Sequence, residues 1–205
     1  MVAPIYQKCQ LDTGMLASVG LAQFCLESGY GTTDLARNAN NMHGMKANLS
    51  GNNWANSSWD GKSVYAKNTQ EQNTNGSVYT IKDNFRKYSS IKQSVYDRAA
   101  YLIGAMNGSQ RRYPGVNLIT DPQKQIELIK AGGYATDINY VNKIMTLIRQ
   151  YNLTQYDVTN RVDYSKFGVV KPSTPSTKPS GGNTIYRVGK TINSDGSVNG
   201  QIGAY

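Results

Sequence analysis

The stretch Gln23-Phe24-Cys25-Leu26-Glu27-Ser28-Gly29-Tyr30-Gly31 decides how this chain is read. Leu16, Val19, Gln23 and Leu26 recur at helical spacing, which predicts a helix from about Met15 to Glu27 with Thr13 as its cap. The helix stops where Gly29 and Gly31 permit a tight exit. Ala22, Phe24, Cys25 and Leu26 surround the terminal Glu27 with apolar or small groups. A carboxyl in such company is partly desolvated, and desolvation raises its pKa. A proton held near neutral pH is what a general acid needs. The alternative is a structural carboxylate that accepts backbone N–H groups of the glycine-rich turn.

Upstream, Pro4 opens a first helix and Gly14 closes it. Downstream, residues 38–76 turn rich in Asn, Ser and Gly, so loops dominate. Within them Ser63–Lys67 alternates like a strand, as does Ser77–Ile81, and Asn75-Gly76 is a hairpin turn signal. A small β-hairpin lobe is expected, with Glu71 in the loop between its strands. Helices then return. Ser90 and Gln93 form a capping box before a helix from about Ile91 to Met106. Asp121-Pro122 opens the next and Gly132-Gly133 closes it. Asp137 or Asn139 starts the last, whose Val141, Ile144, Met145 and Ile148 make an apolar stripe for the core. The fold class is α+β, mainly α.

The remainder changes character. Residues 156–170 read as a C-terminal extension, 171–183 read as a solvated Pro/Ser/Thr/Gly linker, and 184–205 are too short to bury a core of their own. They read as the start of a truncated binding module or as a tail, with a strand at Thr184–Val188 and turns at Asp195-Gly196 and Asn199-Gly200.

The 205 residues carry a net charge of +9, which draws anionic polymers. The basic residues are dispersed, which disfavours a specific nucleic-acid partner. One His and two Cys are too few for a structural zinc site, and no cofactor is implied. Cys9 and Cys25 read as small buried hydrophobes or as a disulfide between two helices. No run is long enough to span a membrane. Met1-Val2-Ala3-Pro4 shows no basic segment followed by an apolar one. The expectation is therefore release through a phage pore, or secretion with the signal already removed. Of the three glutamates, Glu127 sits on a helix with Lys124 and Lys130 at pairing distance and is read as solvated. Glu71 matters as a second carboxylate, because glycoside hydrolysis commonly uses two.

Several motifs together carry a resemblance. The stretch quoted first is similar to the signature Gln-x-x-x-Glu-Ser-Gly-(Trp or Tyr)-Gly of glycoside hydrolase family 73. Asn40-Asn41-Met42-His43-Gly44-Met45-Lys46 resembles the family's Asn-Asn-Leu-Phe-Gly-Ile-Lys. Phe85-Arg86-Lys87-Tyr88 and Ser94-Val95-Tyr96-Asp97 resemble its segment after the hairpin. Gly133-Tyr134-Ala135-Thr136-Asp137, with Tyr140 and Lys143-Ile144, resembles its late motif. The resemblance covers about Ala3 to Leu153.

It implies a lysozyme-like helical domain, residues 1–155, cleaving the β-1,4 bond after N-acetylglucosamine in peptidoglycan at the bacterial wall. The partners implied are glycan strands and anionic wall polymers, with the protein a monomer. Glu27 takes the general-acid position and Glu71 the second carboxylate. Tyr134 takes the active-site tyrosine position, to hold the acetamido group or a water, although a core tyrosine fits the residue type equally well. Tyr30, Asn41, Trp54, Trp59, Tyr88 and Tyr140 are the expected substrate contacts. Trp54 and Trp59 could instead anchor their loop. His43 stands where the family has Phe, so a packed or edge-exposed imidazole is expected there. Either Glu71 activates a water, giving inversion, or the substrate's acetamido oxygen attacks, giving retention. A lytic transglycosylase, a muramidase or a non-catalytic wall-binding module on this fold are the rival readings.

Overall fold

The computed structural model describes residues 2–49, 54–72, 78–167, 185–187, 190–192 and 198–199, with the backbone alone at 69–72, 78, 79, 81, 185–187, 190–192 and 198–199. Helix α1 (Ala3–Thr13) and helix α2 (Ala17–Ser28) come first, then α3 (Asp34–Ala39). The antiparallel hairpin β1 (Val64–Gln72) and β2 (Val78–Arg86) follows. Helix α4 (Ile91–Gly104), the two-residue strands β3 (Met106–Asn107) and β4 (Gln110–Arg111), α5 (Pro122–Ala131) and α6 (Tyr140–Gln150) complete the helical part.

Helix α2 is the hub. Its residues Ala17 to Phe24 are all buried, on every side, as expected of a helix enclosed by others. Gly20 lets α1 approach: a Cβ there would stand 2.6 Å from the Tyr6 ring. The expected Thr13 cap does not form. Leu16 is the cap residue, and Thr13 instead donates to the Cys9 carbonyl at 2.7 Å. The first N–H groups of α2 are satisfied from afar. Gln125 accepts from Leu16, Gln10 from Ala17 and Asp157 from Ser18, at 3.3, 3.2 and 2.8 Å. Any helix start must find such acceptors. Here three other segments supply them, and so pin α2 in place.

The segment after α6 therefore belongs to the same body, and Met1–Val169 form one compact unit. Val158 is buried, and its N–H donates to Gln10 at 3.0 Å. The second unit, Val170–Tyr205, contains three short antiparallel strands, β5 (Ile185–Arg187), β6 (Lys190–Ile192) and β7 (Val198–Asn199), in that order. The expected linker and the Asp195-Gly196 turn lie outside the described residues.

The hairpin is longer than its alternating runs suggested. Strand β1 continues through Thr69–Gln72, which places Glu71 in the ladder opposite Tyr79 rather than in a loop. Phe85 and Arg86 end β2 rather than follow the hairpin. The polar composition of 68–72 hid this, because ladder hydrogen bonds involve only backbone. The Asn75-Gly76 turn lies outside the described residues. Main-chain bonds from Arg86 to Met45 and from Ala47 to Asn84 dock the hairpin's base on the loop after α3.

Other helix ends follow their local chemistry. Gly14 closes α1 in the left-handed region, and Asp121 caps α5 by accepting from Lys124 at 2.9 Å. Ser90 accepts from Gln93 N–H as expected, but the Gln93 side chain bonds Ser89 rather than closing the box on Ser90. Glu127 is exposed, as expected, yet its partner is Gln123 at 2.9 Å and not a lysine. Cys9 is buried, Cys25 half-buried, and both are unbridged thiols. No described helix is long and apolar enough to cross a membrane.

Candidate active site

Glu27 stands in the last turn of α2, where the chain reverses through Gly29, Tyr30 and Gly31, all at positive φ. Ser28 holds this turn by donating to the Phe24 carbonyl at 2.6 Å and accepting from Gly31 N–H at 2.8 Å. Beside it lies a cleft of about 640 Å³, walled by α2, the loop after α3, and the segment from Tyr134 into α6.

Taken over the whole residue, Glu27 is exposed, and it lines the cleft. Its carboxyl is nonetheless enclosed. Burial is the largest influence on it and raises its pKa, while a hydrogen bond from Tyr140 and the charge of Arg98 oppose the rise. The Tyr140 hydroxyl donates to Glu27 Oε1 at 3.0 Å and accepts from Gln23 Nε2 at 2.8 Å. Gln23 Oε1 in turn accepts from Arg98. A chain of three hydrogen bonds thus runs from a buried guanidinium to the carboxyl.

Tyr134 is half-buried and lines the cleft, with its ring 6.1 Å from that of Tyr140. Its hydroxyl is buried and has no hydrogen-bond partner among the described residues. Burial pushes its pKa up, so it stays protonated and able to donate. His43 also lines the cleft but is 4% exposed and packs edge-on against Tyr6, whose hydroxyl lies 3.0 Å from Nε2. Burial first, then the charge of Arg98, lower its pKa well below the ordinary value, so the imidazole is neutral and packed.

The cleft thus gathers Glu27, Tyr134 and Tyr140 out of the residues singled out in the sequence. Tyr140 is 3% exposed, lines the cleft, and donates to the Glu27 carboxyl. Asn41 and Tyr88, also expected to touch substrate, are buried and engaged within the protein. Asn41 is buried and bonds the main chain of Met45 and Arg86, while the buried Tyr88 hydroxyl donates to Asp97 at 2.6 Å. Trp54 and Trp59 clamp the Arg86 guanidinium, at 4.4 and 4.5 Å from their ring centres. This is the loop-anchoring alternative, because Arg86 pairs with buried Asp97 at 2.7 Å and needs shielding from water. Tyr30 is exposed beyond the cleft lining and meets Tyr151 edge-on, hydroxyls 3.1 Å apart. Of Glu71 only the backbone position is described.

Arg98, and Gln23 in its role as a link, escaped the sequence reading. The signal existed for Arg98: it shares a face of α4 with Val95, Ala99 and Leu102, all fully buried. A charge inside an apolar stripe calls for a partner.

Residues 3–153 match the glucosaminidase family, described as mannosyl-glycoprotein endo-beta-N-acetylglucosaminidase. The chain belongs to that family. Among relatives, the exo-glucosaminidase LytG of Bacillus subtilis is 30% identical over 146 residues, 71% of this chain and 48% of that protein. The autolysin of Enterococcus faecalis is 35% identical over 185 residues, 87% of this chain and 24% of that protein. The chain thus spans about half of the first relative and about a quarter of the second. Among solved structures, the catalytic domain of the Listeria monocytogenes autolysin Auto aligns with a TM-score of 0.63 at 29% identity, covering 76% of this chain and 83% of that one. The lysozyme-like helical domain with a small hairpin is thus the glucosaminidase-family architecture.

Proposed function

We propose that the chain is a glycoside hydrolase that cuts the β-1,4 bond after N-acetylglucosamine in bacterial peptidoglycan, with Glu27 as general acid. The observation that carries this is a carboxyl enclosed at the edge of a 640 Å³ cleft, its pKa raised by burial, in a chain of the glucosaminidase family. Glu27 protonates the glycosidic oxygen as an oxocarbenium-like sugar forms. The Tyr134 hydroxyl, buried and without a protein partner, donates to the acetamido carbonyl or to a water. Tyr30 offers an exposed ring to a sugar beyond the cleft.

Glu71 on β1 supplies the second carboxylate, activating a water from the opposite face. Inversion by that route needs the carboxyl groups about 6.5–9.5 Å apart. The net charge of +9 favours the anionic polymers of the wall. The reading makes the protein a monomeric bacteriolytic enzyme delivered to the wall by secretion or through a phage pore. Residues 171–183 serve as a linker to the wall-binding strands that follow.

The test digests purified peptidoglycan with wild type, Glu27→Gln and Glu71→Gln, then reduces the products with borohydride for mass spectrometry. The expected products carry reduced N-acetylglucosamine ends, lost with Glu27→Gln by about 10²-fold or more. Reduced or anhydro muramic ends would overturn the bond specificity. Full activity of Glu71→Gln would favour a transglycosylase, and no new ends with wild type would favour a binding module. Release of single sugars from chain ends, against internal cuts, separates exo from endo action.

A further inference from the structure

Three cations lie in or beneath the cleft, and they are not alike. Lys46 and Lys143 line it, and each is paired with a carboxylate: Asp83 at 2.7 Å and Asp137 at 2.6 Å. Arg98 sits below, 1% exposed, and does not line the cleft. Among the described residues no carboxylate lies within ion-pair distance of it, and its Nε has no hydrogen-bond partner. Removing a guanidinium from water without a counter-charge is costly. A purely structural role would be met more cheaply by an apolar residue on this face of α4. The hydrogen bonds of Arg98 lead to Gln23, from Gln23 to Tyr140, and from Tyr140 to Glu27, and its charge also bears on the Tyr134 hydroxyl.

We propose that Arg98 is a positioning residue for the acid, acting on Glu27 through Gln23 and Tyr140. This rests on the reading of Glu27 as the acid. When Glu27 gives up its proton, negative charge develops on a carboxyl that burial has partly desolvated. A fixed cation behind it, already desolvated and oriented, stabilises that charge without reorganising during the reaction. The relay also fixes hydrogen polarity. Arg98 can only donate, so Gln23 presents its carbonyl to Arg98 and its amide to Tyr140, and Tyr140 must aim its proton at Glu27.

The groups facing Glu27 are few. Helix α6 contributes Tyr140 and Lys143, the segment before it Tyr134 and Asp137, α4 Arg98 and Tyr101, and the loop after α3 His43 and Lys46. His43 is neutral and the two lysines are ion-paired, so Arg98 supplies the cationic charge without a carboxylate of its own.

The chain has three glutamates, so its side-chain carboxyl carbons give three NMR signals when glutamate is ¹³C-labelled. Assignment of Glu27 comes from Glu27→Gln. The full chain is titrated as wild type, Arg98→Met, Arg98→Lys and Tyr140→Phe, with circular dichroism checking the fold. The Glu27 titration is expected to move to higher pH in Arg98→Met and in Tyr140→Phe, and to stay nearer wild type in Arg98→Lys. In activity on peptidoglycan, the alkaline limb of kcat moves up with it. At the optimum kcat falls roughly tenfold, a fraction of the 10²–10⁴ that a positioned acid supplies.

An unmoved Glu27 signal in folded Arg98→Met overturns the proposal. If that variant does not fold, Gln23→Met decides, with an upward shift supporting the relay and an unmoved signal overturning it. If the carboxyl titration moves while the activity profile does not follow, the coupling stands and the assignment of Glu27 as the acid falls.

Discussion

Asp97→Ala should be among the most damaging substitutions in this domain, although Asp97 lies outside the cleft. The Asp97 side chain is 0% exposed and that of Arg86 7%. Asp97 accepts from Arg86 Nη1 at 2.7 Å, from Tyr88 at 2.6 Å, from Ser57 at 2.6 Å and from the Trp54 indole at 3.4 Å. These donors come from β2, the chain after it, and the 54–59 loop, so one carboxylate on α4 gathers the hairpin base and its flanking loop. Removing one partner of a buried pair costs about 3–5 kcal/mol, because the other charge is left unpaired. The two tryptophans and the Arg86 Nε bond to the Lys46 carbonyl soften this toward about 3. The orphaned Tyr88 hydroxyl adds about 1–3 kcal/mol. A loss of about 5 kcal/mol is therefore expected, comparable with the whole stability of a marginal domain. Asp97→Asn should lose less, because it keeps an acceptor for Tyr88. Equilibrium urea unfolding reads both values. A loss below about 1 kcal/mol for Asp97→Ala would refute the reasoning, because the cluster would then not be holding the hairpin.

Two further outcomes concern the cleft. Glu27 has a folded pKa above its ordinary value, so its contribution to stability is complete below the unfolded pKa and is lost as pH rises through the folded one. Glutamine does not ionise, so the melting temperature of Glu27→Gln should gain on that of wild type as pH rises from about 4 through the folded pKa; a gap that stays constant with pH would contradict the raised pKa. Gly20→Ala places a methyl against the Tyr6 ring, which is buried and bonded to His43. A loss of about 1–3 kcal/mol in urea unfolding is expected, with reduced activity as the displaced ring pushes His43 toward the cleft. Unchanged stability would show that α1 can move away at little cost.

Much of this molecule is legible in one dimension, where the cause of a structure lies within a few residues of its effect. Pro4 and Gly14 bound α1, Asp121-Pro122 and Gly132-Gly133 bound α5, and the stripe through Ile144 and Ile148 predicts the buried face of α6. The Glu-Ser-Gly turn placed Glu27 at the end of a helix, because backbone freedom at glycine and the apolar run before it are both local properties. The same holds for the family resemblance, which is carried by motifs each shorter than ten residues.

The tertiary structure decided whatever depends on partners far apart in sequence. The cap of α2 comes from Gln125 and Asp157, 109 and 139 positions from the N–H groups they accept, so Thr13 lost a role that its local spacing offered. Trp54 and Trp59 lie over Arg86, because a buried ion pair at the hairpin base must be kept from water. Glu27 and Tyr140 meet across 113 positions, and Arg98 reaches them through Gln23. A sequence specifies which groups can ionise or donate. Which of them share one desolvated space, and so set each other's charge, depends on packing, and that is why the place of Glu27 at a helix end was legible but the groups around its carboxyl were not.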